Sequence, residues 1–191
     1  MGFLKKMKEA LALRKMARSS AKAFFDEYTQ RCAAYTKMSS DELRELSDTE
    51  LFEAALSRTE QTVDSFRDFT EGMKVLSEQA RIFFIVNYFD GEINNGGLCQ
   101  FFANSSRAVA PMVGDCLDAI GANDHKALYD SFVSRHGIDV CDLSSFQSST
   151  IEAFTAQYDR YPFNEFDDRF FELKPLPDYL APFVRAKIEY F

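Results

Sequence analysis

Apolar residues recur at three- and four-residue steps along most of the chain, and no segment shows sustained alternation of period two. This spacing is typical of amphipathic α-helices and predicts an all-α fold. A serine followed three residues later by a glutamate, at Ser39 and again at Ser47, is typical of a capped helix start. The predicted helices cover residues 3–37, 50–71, 73–89, 98–103, 108–120, 124–136, 145–158 and 178–190.

Two segments between these helices are predicted to be irregular. Residues 90–97 contain Asn-Asn-Gly-Gly, a strong turn signal because glycine and asparagine tolerate a positive φ. Residues 161–177 are rich in aromatic residues and contain prolines. Glycine and proline are otherwise few, which favours a compact single-domain bundle of helices. Its predicted parts are a basic N-terminal helical arm (1–38) and an acidic helical domain (39–191).

The composition indicates a folded and unevenly charged protein. Hydrophobic residues make up 46% of the 191 residues, and 20 Phe with no Trp predict a core built largely on phenylalanine. Residues 1–22 hold seven cations and one anion, a net +6, whereas the rest of the chain holds 15 cations and 29 anions, a net −14. We expect the acidic part to repel nucleic acid and to attract basic proteins.

The predicted helix over 50–71 carries a candidate partner-binding surface. At about 100° per residue, six carboxylates fall within an arc of about 80°, with apolar side chains opposite. They are Glu50, Glu53, Glu60, Asp64, Asp68 and Glu71. One charge per roughly 5–6 Å is sparser than the phosphates of one DNA strand, at about 3.4 Å. Imitation of DNA would need further acids, and an ordinary solvated helix face is the alternative.

The sequence shows no catalytic or metal-binding motif. The four cysteines lack the spacing of a metal or redox site. His125 and His136 lie near the two ends of one predicted helix, where surface or capping roles are expected. We predict no metal, no cofactor and no enzymatic activity, while a hydrolase with paired carboxylates stays open. The sequence contains no run of about 18 apolar residues, so no membrane span is predicted. The cysteine usage fits a cytoplasmic protein.

Residues 88–102 read YFDGEINNGGLCQFF, and this motif has two open interpretations. One is a tight interhelical turn whose amides are satisfied internally. The other is a polar recognition pocket. The residues concerned are Asp90, Glu92, Asn94, Asn95, Gly96, Gly97 and Gln100.

The motif resembles the hallmark of a bacterial family of otherwise uncharacterised domains typified by a DNA-mimic protein. The resemblance extends to Ala-Ile-Gly-Ala at 119–122 and to an acid-acid-x-aromatic-aromatic pattern at 167–171, followed by Tyr179. It is clearest over residues 76–191, and the basic arm has no counterpart in it.

The resemblance implies a mainly helical, protein-binding domain. Its carboxylate surface would occupy the DNA-binding site of a basic protein such as a transcription factor, and Asn-Asn-Gly-Gly would be a hallmark of the fold rather than the mimic surface. Two alternatives stay open. One is an immunity-type antagonist of a basic toxin or nuclease, and the other is a small-ligand-binding protein using the segment from Asp90 to Gln100. A homodimer is compatible with all three.

Overall fold

The structure, a computed structural model, describes residues 21–148 and 150–191, and within them the chain forms ten α-helices and no β-strand. The all-α prediction is therefore confirmed. The first helix, α1, covers residues 21–35 of the described chain, and the part of the predicted basic N-terminal arm (1–38) that precedes residue 21 lies outside the described residues. The remaining helices are α2 (Ser40–Arg44), α3 (Asp48–Asp64), α4 (Phe69–Val75), α5 (Glu78–Ala103), α6 (Ala110–Ala119), α7 (Asn123–His136), α8 (Ile151–Arg160), α9 (Phe163–Glu172) and α10 (Pro177–Ala186).

Helix α5 is the centre of the bundle. Apolar residues lie around its whole circumference, as in a helix buried on all sides, and α3, α6, α9 and α10 pack against it. The predicted phenylalanine core is present. Phe89, for example, meets the rings of Phe101 and Phe170 edge-to-face, with centroids 5.1 and 5.9 Å apart. The largest fully buried aromatic side chains are Phe83, Phe89, Phe101, Phe102, Phe146, Phe163 and Phe166.

The predicted helix starts at Ser39 and Ser47 are confirmed. Each serine hydroxyl accepts a hydrogen bond from the backbone N three residues later, and the glutamate there accepts one from the serine backbone. Such a reciprocal pair satisfies two amides that a helix start leaves free. At the other end of helices, Gly121 and Gly137 have φ of +78° and +60°, as a glycine just beyond a helix requires.

The segment 161–177, predicted to be irregular, contains helix α9, so that prediction is wrong. Phe163, Phe166 and Phe170 are buried at helical spacing, and the charged residues between them are exposed. The proline before the helix and the many aromatic residues favoured an irregular segment, although the apolar residues follow a helical period. The helix predicted over 145–158 begins later, because the Thr150 hydroxyl caps α8 by accepting from the backbone N of Ala153 at 3.1 Å.

Helix α1 is attached to α3 through both charge and core packing. Nε of Arg31 donates to Oε2 of Glu53 at 3.0 Å, and the hydroxyl of Tyr35 donates to the same oxygen at 3.3 Å. Tyr35 is 2% exposed and belongs to the core. The last turn of α1 is therefore part of the folded body.

His125, predicted to be a surface or capping residue, is buried. Only 2% of it is exposed, and its ring lies edge-on to Phe170 and Tyr179, with centroids 5.1 and 6.0 Å apart. Its position on α7 explains this, because Leu128 and Tyr129 follow it on the same apolar face. Burial lowers the pKa of His125, which favours the neutral ring.

Across residues 21–148 and 150–191, no helix is both long and apolar enough to cross a bilayer.

Candidate functional site

The acidic residues predicted to share one helix lie on two. Helix α3 ends at Asp64, and a new helix, α4, begins after Asp68. The Asp68 carboxylate caps that start, accepting from the backbone N and the hydroxyl of Thr70 at 2.7 and 2.6 Å. The prediction of an unbroken helix over 50–71 is therefore wrong. A residue counted as surface charge satisfies a free amide at a helix start instead.

Gly72 lies inside α4 and is buried. A Cβ at this position would come within 2.7 Å of the carbonyl oxygen of Val63. The glycine thus lets α4 pack closely against the end of α3. A second break at Leu76 and Ser77 separates α4 from α5, so the helix predicted over 73–89 is also divided.

Four of the six predicted partner-binding carboxylates have partners within the protein. Glu53 is held by α1, and Asp68 is a helix cap. Glu50 accepts from the backbone N and hydroxyl of the serine that caps α3, at 3.0 and 2.6 Å, and these bonds lower its pKa. Glu71 lies 2.6 Å from the ammonium of Lys74. Glu53 and Glu71 are thus paired with cations, whereas Glu50 and Asp68 keep their charge and are held at helix starts by hydrogen bonds.

Glu60 and Asp64 are the two remaining members of the acidic stripe. They are exposed and stand one turn apart near the end of α3. Within residues 21–148 and 150–191, neither accepts a hydrogen bond nor pairs with a cation. Partial burial raises the pKa of Glu60, and the neighbouring Asp64 carboxylate raises it further. Glu60 and Asp64 are thus the two members of the stripe that no described group holds in place.

The segment 90–97, predicted to be a loop, is mostly helical and belongs to α5. The helix is broken only at Gly96 and Gly97, where Gly97 has φ +75° and ψ 179°. This conformation is essentially restricted to glycine. The turn signal therefore marks a tight break at Gly96 and Gly97 that joins two helical halves of α5, and the second half matches the helix predicted over 98–103.

Asp167 caps the second half of the kinked helix. Its Oδ1 accepts a hydrogen bond from the backbone N of Leu98 at 2.9 Å, across 69 residues of sequence. A Cβ at Gly97 would lie 2.1 Å from Oδ2 of the same carboxylate. The two elements that carried the resemblance, Asn-Asn-Gly-Gly and the acidic pair before Phe170, are thus two sides of one contact.

The polar side chains of the motif bind one another rather than line a pocket. Oε2 of Glu92 accepts from Nε2 of Gln100 at 3.3 Å and from Nδ2 of Asn104 at 2.9 Å. Nδ2 of Asn94 donates to the backbone carbonyl of Asp90 at 2.8 Å. Asn95 is exposed. These bonds support the interpretation of the motif as a structural element that holds the kink.

The Asp90→Asn variant is expected to be more stable than the native protein at neutral pH. Burial raises the pKa of Asp90 from its ordinary 3.8 to about 6, and the Asn94 amide partly offsets this. The folded state therefore holds the proton more tightly than the unfolded state. The associated stability is complete below about pH 3.8 and is lost as the pH rises through about 6.

The uncharged amide of Asn removes that loss, which is about 1–3 kcal/mol above pH 7. Urea denaturation of both proteins at pH 4.5, 6 and 7.5 measures the difference. A difference that does not grow with pH would contradict the assignment of a buried, protonatable Asp90.

One known protein family matches the greater part of the chain. Residues 74–187 match the family described as DMP19-like protein, which is more than half of the chain. This chain belongs to the DMP19-like protein family. The matched residues include both Gly97 and Asp167, whereas Glu60 and Asp64 precede them. Comparison with curated proteins and with solved structures gives no match.

The surface of this DMP19-like protein is acidic within the matched residues as well. Residues 74–187 hold 16 acids against 10 Lys and Arg, a net −6. In the part of the chain that the structure describes, no group of three or more His, Cys, Asp or Glu is placed to hold a metal ion.

Proposed function

We propose that this protein is an acidic interaction module that acts as a DNA mimic. In this proposal it occupies the nucleic-acid-binding surface of a basic protein, such as a transcription factor, and catalyses no reaction. Membership of the DMP19-like family supports the proposal. The observation that carries it is the pair Glu60 and Asp64, two exposed carboxylates that no described side chain neutralises.

The break after Asp64 limits the ways in which this surface could imitate DNA. A straight row of six carboxylates could have imitated one DNA strand with the help of further acids, but the chain turns after Asp64 and the acids beyond it cap or pair locally. The proposed contact is therefore a short cluster at the end of α3, assisted by the general negative potential. Such a surface steers a basic partner at long range and substitutes for a few phosphates at short range.

The structure supports the two alternative functions to different degrees. An immunity-type antagonist of a basic toxin or nuclease would use the same carboxylates, so the acidic pair is equally compatible with it. The small-ligand interpretation has less support, because the amides of Gln100 and Asn94 are engaged in hydrogen bonds within the motif.

Displacement of proteins from DNA provides the direct test. Beads carrying duplex DNA are loaded with extract from the cells in which the protein occurs, and the pure protein is added at about 50 and 300 mM salt. We expect it to release a small set of basic DNA-binding proteins at low salt and far less at high salt, because exposed charge pairs are screened.

Reversal of the acidic pair should abolish most of that release. We expect Glu60→Lys/Asp64→Lys to require about 10- to 100-fold more protein for the same effect, since two attractive contacts become repulsive. The matched control is Asp115→Lys/Asp118→Lys, which makes the same charge change one turn apart on α6, where both residues are exposed. Equal loss in both variants, or none in either, would argue against this surface.

A further inference from the structure

A groove opens beside the acidic pair, between the end of α3, the turn that follows it and α5. Its volume is about 350 Å³. It is lined by Glu60, Val63, Asp64, Phe66, Arg67, Phe69, Phe84 and Tyr88. It exists because α3 ends at Asp64, so the break that divides the predicted stripe also creates this cavity.

One wall of the groove consists of stacked aromatic rings. Phe84 and Tyr88 lie one turn apart on α5 with ring centroids 5.5 Å apart and planes at 19°. The ring of Phe69, from α4, lies 5.3 Å from that of Tyr88. Phe66, in the turn between α3 and α4, is 40% exposed at the mouth. Phe84 is only 4% exposed and supports the wall from behind, so the accessible π surface comes from Phe66 and from the half-buried Phe69 and Tyr88.

Negative charge surrounds this aromatic wall. Burial raises the pKa of the Tyr88 phenol, and the carboxylates of Glu92, Asp64 and Glu60 raise it further, so all three act on the ring. Arg67 is the basic residue of the lining, and it is exposed. Within residues 21–148 and 150–191 it forms no ion pair, but its charge partly offsets the two carboxylates and opposes the entry of another cation.

We propose that this groove is a socket for one arginine side chain of the basic partner, an inference that rests on the proposed function. A guanidinium is planar and weakly hydrated, so it stacks on aromatic faces and still donates two parallel hydrogen bonds to a carboxylate. The lining supplies both features together, rings on one side and Glu60 with Asp64 on the other. A lysine ammonium is compact and strongly hydrated, and it would gain less from the rings.

Titration with two peptides tests the socket without any DNA-binding protein. The probes are acetyl-Gly-Arg-Gly-Arg-Gly-amide and its lysine counterpart, and the readout is the NMR signals of the Phe66, Phe69 and Tyr88 rings. We expect the arginine peptide to bind at least severalfold more tightly and to shift these rings. Glu60→Gln/Asp64→Asn should weaken its binding about tenfold, whereas Asp115→Asn/Asp118→Asn should not.

The Arg67→Gln variant should change the affinity for the arginine peptide in the opposite direction. Because it removes the competing cation and is made at an exposed position, it should tighten binding of the arginine peptide severalfold. Equal affinity for the two peptides, shifts confined to other rings, or no gain in Arg67→Gln would overturn the socket. If the protein displaces DNA-binding proteins in a charge-dependent way but binds the two peptides equally well, the socket is rejected and the proposed function is retained. Selective peptide binding without displacement would reject the proposed function.

Discussion

Replacement of Gly97 by alanine is expected to destabilise the protein by about 3–5 kcal/mol. The backbone there has φ +75° and ψ 179°, which costs a non-glycine residue about 1–3 kcal/mol. The new Cβ would also lie 2.1 Å from Oδ2 of Asp167, so the carboxylate must move and release the amide of Leu98. A lost hydrogen bond to a charged group adds about 1.5–3 kcal/mol.

Urea denaturation followed by circular dichroism measures this loss, and the same helix supplies the control. Gly91 is exposed and lies in regular helix, and a Cβ added there would meet no atom within 4 Å. Gly91→Ala should therefore stabilise the protein by about 0.5–1 kcal/mol. If both alanines change stability alike, the kink is not a constrained element.

A double variant separates backbone strain from the clash. Asp167→Ala alone leaves the amide of Leu98 without its partner and should cost about 1–3 kcal/mol. Combined with Gly97→Ala, it removes the atom that the new methyl group would strike. The double variant should therefore lose clearly less stability than the two single losses added together. Full additivity would show that the two motif elements act independently.

Local signals account for the parts of the fold that the sequence predicted correctly. The capping boxes at Ser39 and Ser47 are closed by residues three positions away. The interaction that decides each feature lies within a few residues, so the pattern alone is sufficient. The phenylalanine core follows similarly from composition and period.

The break after Asp64 was missed although the sequence contains a sign of it. Asp68 followed three residues later by Glu71 is the same acid-bearing helix-start pattern that predicts the helix start at Ser47. The identical residues also fit an acidic stripe, and a charge on a helix surface and a charge at a helix cap cannot be told apart by angular position. For this reason Asp68 and Glu71 were counted in the stripe, whereas Glu50 and Glu53 were set aside because each has a local partner of its own.

The contact between Gly97 and Asp167 could not be predicted from local sequence patterns. Both positions stood out as parts of a motif, but the 69 residues between them contain no spacing rule that joins them. The aromatic groove beside Glu60 was missed for a related reason, because its rings come from α4 and α5 and meet only after the chain turns. Arg58 is a further example, since its partners lie in two segments that are distant from it in sequence.

Replacement of Arg58 by methionine is expected to cost about 3–4 kcal/mol of stability. On α3 its Nε donates to the carbonyl of Tyr35 at 2.9 Å and its Nη1 to the main-chain oxygen of Phe191 at 2.7 Å, while Nη2 donates to the carbonyl of Met38. The guanidinium thus joins the end of α1 and the segment after α10 to one helix. Methionine keeps the length and helix preference of the side chain but leaves three oxygens without their charged donor.

Two further variants make this expectation specific. Arg58→Lys keeps the charge but has one nitrogen instead of three, so it should recover only part of the loss. Arg67→Met, at an exposed arginine without an ion pair in the described chain, should change stability by no more than about 0.5 kcal/mol. Urea denaturation ranks the three variants, and hydrogen exchange at residues 36–38 and at Phe191 reports where the chain loosens. If Arg58→Met proves as mild as Arg67→Met, or if exchange accelerates elsewhere first, then another contact joins these segments to α3.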